Sequence, residues 1–434
     1  MSDSPSQPPP PDPYAAWRSG NYRLYALGWF LLTFGRQIET VAVGSYLWNQ
    51  THDPMALGWL GLIQALPVML LAIPAGQLAD RFERRRVLML MVALSTLVSL
   101  GLAAAARQAV PVGWIYLLLG AGATAAALGG PSRASLLPQL LAPEEFSNAV
   151  TWSSSIFQIA SMTGPAVGGL IIGAQNNIAG AFAMVAVCRL ASLLAIGGVR
   201  PRAHQRDGAA VSWENLVAGI RFVWRTKLIL ATITLDLFAV LLGGATYLLP
   251  IFAEDILHVG ARGLGFLRSA EAVGAIVMAL LLAHLPPMPR AGRTMLWAVA
   301  GFGAATIVFG LSHWFWLSLA MMFVIGALDN VSVVVRHTLV QMLAPDTMRG
   351  RVTAVNNVFI VASNDLGGLE SGLVARLAGP VASVVIGGVG TIIVVLASSR
   401  IWPEILSIGS LRDIRPVDAA EAQEEAEKEL SDRI

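Results

Sequence analysis

Eight ionisable side chains stand out inside stretches otherwise apolar enough to sit in lipid: Arg36 and Glu39, Asp236, Arg268 and Glu271, Asp329, Asp365 and Glu370. A charge at the bilayer centre costs about 3 kcal/mol on some insertion scales, so such residues face a cavity or a partner rather than lipid. A carboxylate left unpaired in low dielectric tends to hold a proton, which is the property a proton carrier needs. Arg36 with Glu39, and Arg268 with Glu271, are three residues apart on their helices and can pair locally. Asp236, Asp329, Asp365 and Glu370 then lack an obvious intramembrane base, although Arg336, two turns from Asp329, is within its reach. Rise along the helices puts Arg36, Glu39 and Asp365 near the midplane. Asp365, then Asp236 and Glu39, are the proton-coupling candidates, with interhelical hydrogen bonding as the competing role.

Polar stripes accompany these charges. Thr353, Asn357, Asn364 and Ser371 share a helix face beside Asp365, and Thr33, Arg36, Gln37 and Thr40 share another. In otherwise apolar helices such stripes suggest a water-filled path, with helix–helix hydrogen bonding as the alternative. Arg36, Gln37, Thr40, Asn357, Asn364 and Glu370 are therefore the cavity and substrate candidates. Trp29, Phe30, Phe34, Phe238, Tyr247 and Phe359 offer aromatic surface to an amphipathic ligand.

Other chemistries find no residues here. Lys227 and Lys428, the only lysines, do not follow the glycine frame of a phosphate loop, so the chain has no nucleotide cradle with which to burn ATP. Neither a His-Glu-x-x-His pair nor a nucleophile elbow stands out, and the six histidines are scattered. The single cysteine, Cys188, excludes a disulfide framework. The expectation is a protein that is not an enzyme, has no cofactor and no metal, and draws its energy from a gradient.

The elements that must position these charges are membrane helices. With 55% of residues apolar and only 13% charged, 434 residues cannot cover a soluble surface. Apolar segments of spanning length recur about twelve times. Arginines fall on one side of them (Arg18, Arg23, Arg81 to Arg86, Arg133, Arg200 to Arg206, Arg290, Arg293, Arg349, Arg400), which predicts that both termini are cytoplasmic. The two halves repeat: Leu141-Ala-Pro143 matches Leu343-Ala-Pro345, and Val150-Thr151 and Phe157 match Val352-Thr353 and Phe359, always 202 positions apart.

The organisation expected is a disordered tail at 1–20, six helices over 21–199, a cytoplasmic linker at 200–227, six more helices over 228–402, and an acidic tail at 403–434. In the linker, Trp213, Leu216, Val217, Ile220, Val223 and Trp224 follow helical spacing behind Ser212 as a cap. That pattern predicts an amphipathic helix on the inner leaflet.

Gly76-Gln-Leu-Ala-Asp80-Arg81-Phe-Glu-Arg84-Arg85-Arg86 resembles the signature loop of the major facilitator superfamily. The resemblance implies that Gly76, Asp80, Arg81, Arg84 and Arg85 form a conformational latch. In it Asp80 pairs with loop arginines and faces the start of the eleventh helix in the outward-open state. The second-half loop keeps Arg290 and Arg293 but has no acid, so the latch is expected to be one-sided. Gly164-Pro165-Ala-Val-Gly168-Gly169 resembles the end of a motif of drug–proton antiporters, implying a helix pivot at Gly164, Pro165, Gly168 and Gly169. Thr151 and Ala160 stand where that motif has upstream glycines, and the mid-helix arginine of the fourth helix is missing. Met348-Arg-Gly-Arg-Val352 and Ser363-Asn-Asp365 look like the branch holding the enterobactin exporter and macrolide efflux proteins.

The chain is thus expected to be an all-α polytopic protein of twelve transmembrane helices in two pseudo-symmetric bundles. It would sit as a monomer in a bacterial cytoplasmic membrane, with lipid, protons and a small-molecule substrate as partners and no nucleic acid. The function implied is export of a small amphipathic molecule (drug, siderophore or metabolite) by proton antiport through alternating access. An uptake symporter on the same fold and a non-transporting receptor or scaffold are the alternatives, with a lipid flippase behind them.

Overall fold

Backbone groups have no water to bond in a bilayer, so the spanning segments must close their own hydrogen bonds. The computed structural model does this with helices throughout, and describes residues 12–108, 110–175, 177–202, 213–243, 245–286 and 288–410. In chain order these are α1 (Ala15–Arg18), α2 (Gly20–Thr51), α3 (Pro54–Arg81), α4 (Arg84–Gln108), α5 (Val112–Leu136), α6 (Pro143–Gln175), α7 (Ile178–Gly198), α8 (Trp213–Arg225), α9 (Lys227–Leu242) and α10 (Ala245–Ile251). Then follow α11 (Gly260–His284), α12 (Ala291–Leu311), α13 (Phe315–Leu343), α14 (Asp346–Ala378), α15 (Pro380–Ile401) and α16 (Glu404–Ser407).

Local chemistry sets several starts. Ser19 accepts from the Tyr22 N–H at the start of α2, Asp53 from Met55 at α3, where Pro54 follows, and Asn177 from Gly180 at α7. Among the described residues eleven spans are long and apolar enough to cross a membrane. The 32-residue α2 also has the length, but its polar stripe dilutes it; counting it gives twelve.

The seventh span is not one helix. It is α9, then α10 running into a π turn at Phe252–Ile256, with the break at Gly243 and Pro250 inside α10. Discontinuous helices of this kind line binding sites in transporters because the break frees side chains and backbone to face a cavity.

Within the first half α2 packs on α6 and α7, α3 on α5, and α4 on α5 and α7. In the second, α9 packs on α14 and α15, α11 on α13, and α12 on α13 and α15. The halves meet in two main seams, α6 on α11 and α14 on α3. Because the repeat of 202 positions carries α6 onto α14, these are one contact made twice. Glycines allow both close approaches: a Cβ added at Gly265 would stand 3.0 Å from Gly169 Cα, and one at Gly372 would stand 2.7 Å from Gly58 Cα.

The peripheral segments are tied down. Residues 1–11 of the expected N-terminal tail lie outside the described residues, but the tail is structured by Ala15. Trp17 packs edge-on against Tyr22 and Trp152, and Asn148 accepts from the Ala16 N–H and donates to Pro13 O. Aromatic burial on α6 outweighs the proline-rich composition there. Helix α8 lies across α14 and α9, with Phe222 and Val223 buried and Ile220 and Trp224 exposed. Ser212, its expected cap, and 411–434 of the acidic tail lie outside the described residues. Residues 404–410 fold back on α12, whose first N–H groups reach Gly409 O at 3.0 Å and Ile408 O at 3.5 Å.

Candidate functional site

A cavity of about 650 Å³ separates the two halves. Its floor lies at the end away from the signature loop, where the halves touch. There Trp48 Nε1 donates to Asp255 at 3.2 Å, Gly44 abuts Pro250, and Arg376 approaches Asp53 at 3.9 Å. From that floor the cavity runs past Arg36, Gln37, Thr40, Asn364 and Asp365 toward Leu88 and Arg133 at the arginine-rich end. Trp29 and Phe157 stack at 6.4 Å on its wall, and Arg133 lies 3.8 Å over the Trp29 ring.

The proton-coupling candidates separate. Asp365 faces the cavity, where Tyr247 of the broken helix donates to its Oδ1 at 2.6 Å. Glu39 does not pair with Arg36. It takes both Nη atoms of Arg189 on α7, at 3.1 and 2.5 Å, and Arg189 also donates to Ser95 O and Ser99 Oγ. Asp236 is not free either: Arg336 forms an ion pair with it, and both side chains are nearly out of solvent. Arg336 therefore serves Asp236 rather than Asp329, because α9 and α13 face each other across the second half's interior. Arg268 and Glu271 form no ion pair among the described residues. Arg268 donates to Thr246 O at 3.0 Å, and its Nε is buried without a partner. Glu271 lines the main cavity and also a pocket of about 120 Å³ behind it, shared with Asp236, Asp329 and Arg336.

Four of the six cavity candidates, Arg36, Gln37, Thr40 and Asn364, line the cavity. Gln37 donates to Ser161 on α6 at 3.0 Å, and Thr40 to the carbonyl of Arg36 at 3.0 Å. Asn357 is exposed and Glu370, held by Ser371 at 3.4 Å, sits farther along α14; neither lines the main cavity. Arg189 is not among the residues singled out from sequence. It carries the same signal as Arg36, an arginine inside a spanning segment, and is only 8% exposed.

At the signature loop the arginines grip their own half. Arg84 donates to Ser135 O at 3.1 Å, Arg85 to the carbonyls of Ile196 and Gly197, and Arg86 pairs with Glu83 at 2.6 Å. Arg81 sits over Phe82, Gly76 is buried, and Asp80 makes no ion pair among the described residues. The implied Asp80–arginine pair is absent in a conformation whose halves are joined at the opposite end. Along α6, Gly164 and Gly168 pack on Gln37 and Ile38 of α2, while Pro165 O and Gly169 meet Gly265 of α11.

The model of a family described as transmembrane secretion effector matches residues 12–424. The chain belongs to this family of the major facilitator superfamily. This transporter is 26% identical over 377 residues to the enterobactin exporter EntS of Escherichia coli O1:K1, across 86% of this chain and 89% of the relative. It is 26% identical over 398 residues to that of Citrobacter koseri, across 91% and 93%. A bacterial homologue of the human lysosomal transporter Spinster, inward-facing and occupied, superposes with a TM-score of 0.72 at 15% identity, over 91% of this chain and 99% of that one. A D-xylose–proton symporter does so at 0.65 and 15%, over 89% and 98%. These structures share the fold. The expected superfamily and the two-bundle helical architecture are both borne out.

Proposed function

We propose that this multi-pass transporter exports a small amphipathic molecule from a bacterial cell in exchange for protons, by rocking its halves about the cavity. The observation that carries this reading is the cavity itself. It is shut at one end by two glycine-lined seams, opens toward the arginine-rich end, and carries charge from both halves at its floor. The positive-inside rule makes the arginine-rich end cytoplasmic, so the open side faces the substrate to be exported. The exporter names of the relatives at 26% identity support the outward direction.

Asp365 is the coupling residue of this reading. It is the only one of the three proton candidates that faces the cavity without an arginine partner among the described residues. In the return conformation Asp80 meets the start of α14, near Met348, where a helix N-terminus favours a carboxylate. The α6 glycines around Pro165 act as the pivot, since they touch α2 and α11 at once.

The test is accumulation of a panel of fluorescent amphipathic dyes in efflux-deficient bacteria at equal membrane expression. Wild type lowers dye content, and an uncoupler or Asp365→Asn abolishes this. Efflux that survives Asp365→Asn removes the coupling assignment; dye accumulating above the vector control makes the protein an importer.

A further inference from the structure

We propose that the substrate is an anion: an amphipathic molecule with a carboxylate or comparable oxyanion on an aromatic or apolar body. This rests on the reading of the cavity as the transport site. Four arginines line it, Arg36, Arg133, Arg189 and Arg268, against two carboxylates, Glu271 and Asp365. Arg189 is neutralised by Glu39 in the wall behind. Asp365 is already engaged by the Tyr247 hydroxyl.

Two of the remaining guanidinium groups are short of partners. Arg36 is exposed within the cavity and has no ion-pair partner among the described residues. Arg268 lines the cavity from the other half, makes no ion pair among the described residues and spends one nitrogen on a backbone carbonyl. The guanidinium fork matches carboxylate and phosphate oxygens in a planar, two-bond geometry. A ligand oxyanion at the floor supplies Arg36 with the counter-charge it lacks, with Arg268 lining the same cavity.

The rest of the ligand meets a different surface. Trp29 and Phe157 stack along the wall toward the mouth, with Arg133 seated on the outer ring. An aromatic or apolar body lies there while the oxyanion points to the floor. The cavity's volume suits a drug-sized molecule. An organic cation would instead meet Arg133 at the mouth and then Arg36 standing free in the cavity.

The experiment is equilibrium binding to the purified full-length protein in nanodiscs, read by fluorescence polarisation. The probes are carboxyfluorescein and rhodamine 123, which share a ring system and differ in charge sign. Carboxyfluorescein should bind at least about tenfold more tightly than rhodamine 123, and Arg36→Gln or Arg268→Gln should remove about tenfold of that affinity. Arg36→Lys should keep most of the preference, because it keeps the charge. Arg36 stands in open cavity, so its variants report on binding even where Arg268→Gln lowers folding yield. Equal or tighter binding of rhodamine 123, no binding of either dye, or indifference to Arg36→Gln overturns the proposal. The cell efflux assay separates the two readings. Rhodamine 123 exported without carboxyfluorescein binding leaves the exporter and removes the anion site. Anion binding without vectorial movement does the reverse.

Discussion

Buried charges in this protein are settled pair by pair, and the pairs have consequences for stability. Asp236 and Arg336 are enclosed together, as are Glu39 and Arg189. Removing one member strands the other, at about 3–5 kcal/mol, whereas replacing both with apolar residues of similar size is near neutral. Asp236→Leu or Arg336→Met alone should therefore lower the melting temperature in detergent sharply, and the double variant should recover most of it. Tyr247→Phe deletes only the bond to Asp365, a change of roughly 1 kcal/mol in stability. Transport should fall about tenfold or more if that bond sets when Asp365 exchanges its proton; unchanged dye efflux would separate Tyr247 from coupling. The local i, i+3 pairs expected at Arg36–Glu39 and Arg268–Glu271 fail for a physical reason. Neighbouring elements offer Glu39 a more enclosed partner, Arg189, and Arg268 a backbone carbonyl, that of Thr246.

Glycines set the closest backbone approaches across the seam. Gly58 faces Gly372 and Gly169 faces Gly265, both away from the signature loop. A Gly58→Leu or Gly169→Leu side chain has nowhere to go when that end is shut, and overpacking of this kind costs about 1–3 kcal/mol. The open-outside state should gain population. With Cys188→Ser as background and Gln64→Cys as reporter at the cavity wall, labelling by a membrane-impermeant thiol reagent added outside should rise in these variants. The helical spans and the duplicated unit were legible in the chain, because spanning length and a fixed offset are local facts. The break between α9 and α10 was not, although Gly243 and Pro250 are visible in the sequence: hydropathy runs straight through it.

For the whole molecule, the proposed rocking motion would account for the seams, the cavity and the unpaired Asp80. With the halves joined at the far end, Asp80 has no ion pair among the described residues, and Arg84, Arg85 and Arg86 grip their own half. Rocking the halves would bring Asp80 toward α14 as the glycine seams part. A short bifunctional thiol crosslinker between Trp48→Cys and Asp255→Cys, again without Cys188, should trap the observed state and stop transport. Monofunctional labelling of the same pair is the control and should leave substantial activity. If Asp80 latches the alternative state as proposed, Asp80→Asn should slow transport while leaving binding at the cavity nearly intact.

What the sequence determined by itself was the membrane fold, its duplication and the family, because partition into lipid is decided segment by segment and a signature loop is contiguous. It also marked Arg36, Gln37, Thr40, Asn364 and Asp365, whose polar spacing survives as a cavity wall. Only the tertiary structure decided which charges are spent and which are free. That depends on how each helix is rotated about its axis against its neighbours, a packing outcome that no single helix encodes. Asp236 looked unpaired until α13 brought Arg336 to it, and Arg189 disappeared in an apolar run until α2 supplied Glu39.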